Sequence, residues 1–499
     1  METCATNINL LDDYSLLEVF SYLSLKEKIV AEKVCKRWHD LARQLLDKQW
    51  SLGTTWSTDE DHKCLDTDCH SVNNGDIREV IAMSNGWFYD LTIEKSQQSL
   101  EVISNECPNV RCLHISSCVI DVNCFSKIVQ LFPLLKCLNL KNNVLKSVIE
   151  CQSGDTRIST ENEWHSIGLI LAPFVKHLQL DSHYEFRMND IEIESLIQPL
   201  VSIEEFRIGP HFERSVTGRF ISSIPRTCRL FYSLGKELSD EALDVLNKNH
   251  SKSLTHLSYI SKPFQTTDSL IKIGNHFQNL VKLKINLSFN EIIFTLQSPL
   301  KNLILLKELS VDMNSLSDAQ VDDALIWCIK DGIPSLQLLE ISRANLSLHS
   351  FNSIYYCIPY INTLILRVVQ IQCSCPWTGE LEYRSVRYEC SFCRESCWRS
   401  VANYHNLKEL HILDYYYRNN KPKQFHRELS QTLPVFKCLR VISLCRYDIS
   451  SAKLLESLNE LMKNTEPDDK FLLKLKSISF NNSKIKIPKI VISRDNFML

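Results

Sequence analysis

The sequence predicts an α/β protein: a small all-helical unit at the start, then a long array of strand-and-helix repeats whose strands stack in parallel. Three observations predict it. One spacing of aliphatic residues restarts every 22 to 46 residues along most of the chain. A proline stands two residues before five of those restarts, at Pro108, Pro133, Pro173, Pro334 and Pro359, where it ends a preceding helix. The opening 50 residues instead step their apolar side chains at helical intervals.

Composition narrows the class. A chain of 499 residues exceeds one ordinary core, so several domains or a repeat array are expected. An apolar share of 44% excludes a largely disordered chain. Net charge is -3 with no basic stripe, which argues against a nucleic-acid partner. No apolar window is long enough to span a bilayer, and the opening METCATNINL has neither the basic nor the apolar region of a secretory signal. The 20 cysteines therefore read as reduced thiols of a cytoplasmic or nuclear protein. None of the 11 glycines forms a dinucleotide or P-loop fingerprint, and neither G-x-S-x-G nor H-E-x-x-H occurs. No enzymatic signature is present.

The helical unit covers residues 8–51. Leu16, Phe20 and Leu23 share one face, Ser24 to Glu27 reads as a capping box opening a second helix, and Val34, Trp38, Leu41 and Leu45 form a third apolar stripe. Three helices of this size bury too little to be indifferent to a partner. Residues 52–79 are acidic and rich in Thr and Asp; they read as a plain linker, although His62, Cys64, Cys69 and His70 cluster there.

From residue 80 to 499 the pattern is L-x-x-L-x-L-x-x-(N/C)-x-L, where L is any aliphatic residue. It fits at Val110, Leu113, Ile115, Cys118 and Ile120, and again at Leu135, Leu138, Leu140, Asn143 and Leu145. Further starts are Val175, Ile203, Leu254, Leu280, Leu306, Leu336, Ile361, Leu407, Leu439 (or Phe436) and Leu475, with weaker ones at Phe88 and Pro225, giving about 12–14 repeats. Apolar residues two apart line one face of a strand. One such strand cannot bury that face, but stacked copies build a continuous core. The Asn or Cys at the ninth position is expected to bond neighbouring backbone as the chain turns out of the strand. A helix is expected after each strand, most clearly in 238–249 and 316–332, which offer Ser239 and Ser317 as N-caps before acidic first turns.

The long spacings place insertions near 146–170, 372–400 and 416–428, all after a strand has ended and so on one rim, whereas 463–471 precedes its strand. Loops on a rigid scaffold commonly carry binding. In the largest insert, Cys373, Cys375, Cys390 and Cys393 form C-x-C and C-x-x-C pairs, with Cys397 in reserve. Such pairs suit a tetrahedral structural zinc, and incidental thiols are the competing reading. No cofactor for activity is expected.

The residues Leu11, Leu17, Val19, Phe20, Tyr22, Leu23, Val34, Cys35, Lys36, Arg37 and Trp38, with Trp50 closing the segment, resemble the F-box pattern. The repeats resemble the leucine-rich repeat family, a solenoid (horseshoe) with parallel strands on its concave face and helices on its convex face. Asp12 stands where F-boxes usually carry proline. The resemblance implies a non-catalytic substrate receptor that binds a Skp-family adaptor, and through it a cullin, in a ubiquitin ligase. It implies adaptor contacts at Leu11, Leu16, Leu17, Val19, Phe20, Leu23, Val34, Cys35, Trp38 and Trp50. A protein substrate would meet outward repeat positions and loops, with Arg343, Arg367, Trp377, His411, Tyr415, Tyr416, Tyr417 and Arg446 as candidates. Neither a membrane nor a nucleic acid is an expected partner. The alternative is a leucine-rich binding scaffold outside any ligase, which Asp12 keeps open.

Elemental analysis of the purified protein tests the zinc reading. About one equivalent per chain, lost in Cys390→Ser, is expected; a metal-free wild-type protein contradicts it.

Overall fold

The structure is a computed structural model. With short gaps, it describes residues 12–49, 51–55, 90–94, 110–145, 160–182, 188–209, 217–233, 239–260, 268–287, 298–313, 318–372, 406–413, 438–444 and 471–492. Two compact units divide close to residue 229.

The first unit opens with helices α1 (Asp13–Ser21) and α2 (Lys36–Gln49). Strands β1 (Ser51–Thr55), β2 (Asp90–Glu94), β3 (Cys112–Ser116), β5 (Cys137–Leu145), β6 (His177–Ser182) and β7 (Glu205–Ile208) then pair successively, every pair parallel. A short strand β4 (Val119–Ile120) follows β3 and pairs with the end of β5. Helices α3 (Val122–Leu131), α4 (Glu161–Leu171) and α5 (Asp190–Ile197) connect the strands.

The second unit continues the same plan. Strands β8 (Leu230–Ser233), β9 (His256–Ile260), β10 (Lys282–Asn286), β11 (Glu308–Asp312) and β12 (Leu338–Ser342) pair in parallel. After a short strand β13 (Asn345–Ser347), β14 (Thr363–Arg367) joins the sheet, and β15 (Gln370–Gln372) pairs with β13. Strands β16 (Glu409–Leu413), β17 (Val441–Leu444) and β18 (Phe471–Leu475) follow in parallel. The β19 (Ile478–Phe480) and β20 (Ser483–Ile485) hairpin comes next, and β21 (Ile490–Ile492) lies antiparallel on β18. Its helices are α6 (Asp240–His250), α7 (Asp268–His276), α8 (Asp318–Ile329) and α9 (Leu348–Cys357). No helix among the described residues is long and apolar enough to cross a membrane.

The core follows the pattern read from the sequence. Val110, Leu113 and Ile115 are buried, as are Leu135, Leu138 and Leu140, and the same three positions recur through Leu407, Leu410 and Ile412. Between them the strand side chains stay partly exposed, so one sheet face is core and the other meets solvent. The helices contribute buried stripes such as Phe125 and Ile128, or Leu243 and Leu246.

Register is set at both ends of the strands. The carbonyl of the residue after each start accepts two backbone N–H groups of the next repeat: Arg111 from Lys136 and Cys137, Lys136 from Lys176 and His177, Lys307 from Gln337 and Leu338. At the trailing end, the N–H groups of Ser117, Leu287, Met313 and Arg343 donate to Lys141, Asp312, Ser342 and Arg367 of the following strand. Ser117, Asn142 and Arg343 all stand eighth in their repeats and all adopt positive φ, near 55°. The chain leaves β3 and β12 through one such left-handed residue and kinks β5 at Asn142, where its register on β6 shifts; the conformation disfavours side chains with a Cβ. The next residue repairs the backbone. Asn143 Nδ2 donates to Ile115 O at 2.7 Å and its Oδ1 accepts from Cys118 N at 3.0 Å, as expected for the ninth position.

Caps fix the helices. Asp121 accepts from Cys124 N, Asn189 and Glu192 form a reciprocal capping box, and Ser239 caps α6 as expected; Ser317 lies outside the described residues. Side chains also bind helix to helix, with Ser223 donating to Glu194 and Lys272 to Asp244. Gly274 has a steric reason, because a Cβ there would stand 1.6 Å from Pro299 O.

Three expectations are corrected. The start placed at Pro225 is Cys228, which is fully buried, and the carbonyl of Arg229 accepts the paired amides of Thr255 and His256. The start placed at Leu475 falls at residue 470, because Leu473 pairs with Ile442; the dense apolar run Phe471–Leu475 obscures the spacing. The expected linker 52–79 begins inside the sheet, since β1 occupies Ser51–Thr55. The start at Leu439, buried before β17, prevails over Phe436.

Replacing Asn143 with Ala removes both ninth-position bonds, to Ile115 O and from Cys118 N. A loss of about 1–3 kcal/mol in urea unfolding is expected. Unchanged stability contradicts the assigned role.

Candidate functional site

Two surfaces remain after the core is accounted for. On the helical unit, Leu16, Phe20, Ala31, Leu41 and Ala42 are buried, and the Phe20 ring meets the Trp38 ring edge-on at 5.0 Å between centroids. Arg37 Nε binds Asp13 Oδ1 at 2.8 Å and ties the two helices together. Asp12 is the N-cap of α1: its Oδ1 accepts from Ser15 N at 2.6 Å and its carbonyl from Leu16 N at 3.0 Å. An acidic cap also faces the positive end of the helix dipole. The residue in the proline position thus starts the helix by a different means.

Leu16 and Phe20, expected among the adaptor contacts, are corrected to core residues; at 0% and 1% exposure they cannot reach a partner in the folded unit. The expected core stripe through Val34 is corrected too, because Val34 is 56% exposed. Val19 and Cys35 are also exposed, Leu17, Leu23 and Trp38 are half-buried, and Leu11 and Trp50 lie outside the described residues. Sequence reasoning missed Val30, which is exposed four residues before Val34; that spacing on a helix-forming segment was the available signal. The result is an apolar surface that the unit's own core does not use.

The second surface is the solvent face of the sheet in the second unit. Arg343 grips Asp312 through Nε at 2.8 Å and through Nη2. Arg367 Nε donates to Glu340 Oε1 at 3.1 Å, whose Oε2 accepts from Ser310 Oγ at 3.1 Å. Lys282 meets Glu308 at 2.7 Å, and His411 Nε2 lies 3.1 Å from Glu409 Oε2. The carboxylates of Asp312 and Glu340 are largely covered, whereas the guanidiniums of Arg343 and Arg367 stay open to solvent. Half-exposed ion pairs contribute about 0–1 kcal/mol each, so they orient side chains more than they hold the fold. Arg343, Arg367 and His411 thus share one face, as expected. Trp377, Tyr415, Tyr416, Tyr417, Arg446 and the cysteines at 373, 375, 390 and 393 lie outside the described residues. Among the described residues no cluster of His, Cys, Asp or Glu could hold a metal ion.

Comparison with known proteins fits this architecture. The F-box domain family model matches residues 8–50. Among solved structures, the yeast Rad7 and Elc1 complex is similar at 16% identity and TM-score 0.41, over 71% of this chain and 88% of that one. LegL7, a leucine-rich repeat-containing protein from Legionella pneumophila, is similar at 17% identity and TM-score 0.31, over 47% and 85%. The TLR13–ssRNA13 complex follows at 14% identity and TM-score 0.38; the alignment covers 72% of this chain and only 46% of that one. No curated protein matches the sequence. Residues 8–50 are therefore an F-box domain, and within each unit the strands stack in parallel with the register and burial of leucine-rich repeats. The second statement rests on strand register and burial rather than on these distant likenesses.

Thiol reactivity reads out the arrangement. Cys35 and Cys438 are exposed, and Cys118, Cys228 and Cys328 are buried. Burial pushes the Cys328 thiol up to about 12, and burial followed by Asp121 pushes Cys124 up to about 11. Among the described cysteines, maleimide at neutral pH should label Cys35 and Cys438 first and leave Cys328 unmodified until denaturant is added. Early labelling of Cys328 contradicts its placement in the core.

Proposed function

We propose that this protein is the substrate-recognition subunit of a Skp–cullin–F-box ubiquitin ligase. The observation that carries the reading is the F-box domain at residues 8–50, whose helices close on Phe20 and Trp38 while Val19, Val30, Val34 and Cys35 remain outside. An apolar set left outside a domain this small is ready to bury itself against a Skp-family adaptor. Leu17 and Leu23, half-buried at its margin, complete the contact. The adaptor in turn joins a cullin, and the leucine-rich repeats hold a protein substrate for ubiquitination in the cytoplasm or nucleus. The receptor performs no bond chemistry; it contributes proximity between its target and a conjugating enzyme carried elsewhere in the assembly. A structural zinc in the 373–397 insert belongs to the same proposal, as a clasp for a loop on the substrate rim.

The competing reading, a repeat scaffold outside any ligase, draws on Asp12 in the proline position. Asp12 caps α1 and leaves the helix intact, which supports the receptor reading.

Co-purification with a Skp-family adaptor decides between them. The wild-type chain should give a stoichiometric complex, and Leu17→Asp with Val34→Asp should lose it while remaining folded. Phe20→Ala should cost about 3–5 kcal/mol in the stability of the helical unit and lose the complex by unfolding. A wild-type chain that captures no adaptor sinks the receptor reading in favour of the scaffold.

A further inference from the structure

Among the described residues on the sheet face of the second unit, every acidic residue is held by a basic neighbour: Glu308 by Lys282, Asp312 by Arg343, Glu340 by Arg367 and Glu409 by His411. The pairing leaves a surplus of cations. Arg229 before β8, Lys284 on β10, Lys307 before β11 and Lys408 before β16 are all exposed, with no acidic partner among the described residues. From Arg229 to Leu413, the outward strand positions and the residues flanking them hold seven Lys and Arg. They are residues 229, 282, 284, 307, 343, 367 and 408, against four acids at 308, 312, 340 and 409. Among the described residues that face carries an excess of three positive charges on a chain whose net charge is -3.

The cations are distributed, not focused. One stands on or beside each of five successive strands: Lys284 at β10, Lys307 at β11, Arg343 at β12, Arg367 at β14 and Lys408 at β16. At the usual strand spacing and rise these five spread over about 19 Å across the sheet and, from the second to the eighth repeat position, about 20 Å along it. A single phosphate concentrates its charge on one point and would leave most of these groups unused. A nucleic acid would bring closely spaced phosphates against the four carboxylates already on the face, and the described strands from β10 to β16 offer no Phe, Tyr or Trp on which bases could stack.

We infer that this face docks an extended, Asp- and Glu-rich protein segment, whose separate carboxylates match the separate cations. The inference deepens the receptor reading by naming the class of substrate that the repeats take. Arg343 and Arg367, already oriented by Asp312 and Glu340, present their free N–H groups, while Lys284, Lys307 and Lys408 supply unneutralised charge. Attraction of this kind sets association rate and specificity and weakens with salt.

Fluorescence anisotropy with the full chain and a labelled oligoglutamate peptide tests the inference. Saturable binding is expected, weakened by added salt and reduced at least about tenfold in Lys284→Glu, Lys307→Glu, Lys408→Glu, all exposed positions whose reversal leaves the core untouched. Arg367→Gln should weaken it separately. Absent binding, binding indifferent to the triple reversal, or a preference for a singly phosphorylated neutral peptide or an oligothymidine overturns it. Adaptor capture is measured on the same variants. Capture retained with peptide binding lost supports the assignment, and peptide binding by a chain that captures no adaptor keeps this face while removing the ligase.

Discussion

Everything in the repeat array depends on one recurring backbone interaction, the carbonyl after each repeat start that accepts two N–H groups from the next repeat. It fixes strand to strand in common register through Arg111, Lys136, Lys176, Thr255, Val281, Lys307, Gln337 and Asn362. A slip of one residue would turn every Leu of the core face to solvent. With register locked, the same three positions of each repeat meet the same three of its neighbours, and a core grows without any strand having to bury itself alone. The other sheet face is then free of structural duty, which is why it can carry charge.

Left-handed residues at Ser117, Asn142 and Arg343 show how side chains with a Cβ are tolerated in a costly conformation. Two of the three donate their N–H to the next strand, and Asn143 bonds the preceding repeat twice, at Ile115 O and Cys118 N. Arg343 uses the position differently. Its left-handed backbone lies where the guanidinium returns to Asp312, so a structural turn also places a functional cation.

Much of this was legible in the sequence, because a strand buried on one face writes its period directly into the residues. The starts at Val110 through Ile203 and Leu254 through Leu439 match observed strands, and Ser239 caps the helix it was expected to cap. The pattern failed where chemistry departed from aliphatic. Cys228 fills a leucine position as a small buried apolar residue, and the nearby Pro225 drew the reading three residues early. At Phe471–Leu475 nearly every residue is apolar, so spacing loses its phase. Resemblance marked Leu16 and Phe20 as contacts, yet a family pattern records core and surface residues alike; only burial separates them. Three of the four ion pairs that hold the acids of the sheet face join residues about 30 positions apart, a distance no local pattern reports.

The account assigns two surfaces to two tasks: the apolar set on the F-box domain for an adaptor, and the basic sheet face of the second unit for a substrate. Chemical footprinting of the purified adaptor complex tests that division most directly, comparing maleimide labelling of Cys35 with acetylation of Lys284, Lys307 and Lys408. The account predicts that Cys35 becomes unreactive on complex formation while the three lysines keep their free-chain rates. Protected lysines, or a Cys35 as reactive as before, would contradict it.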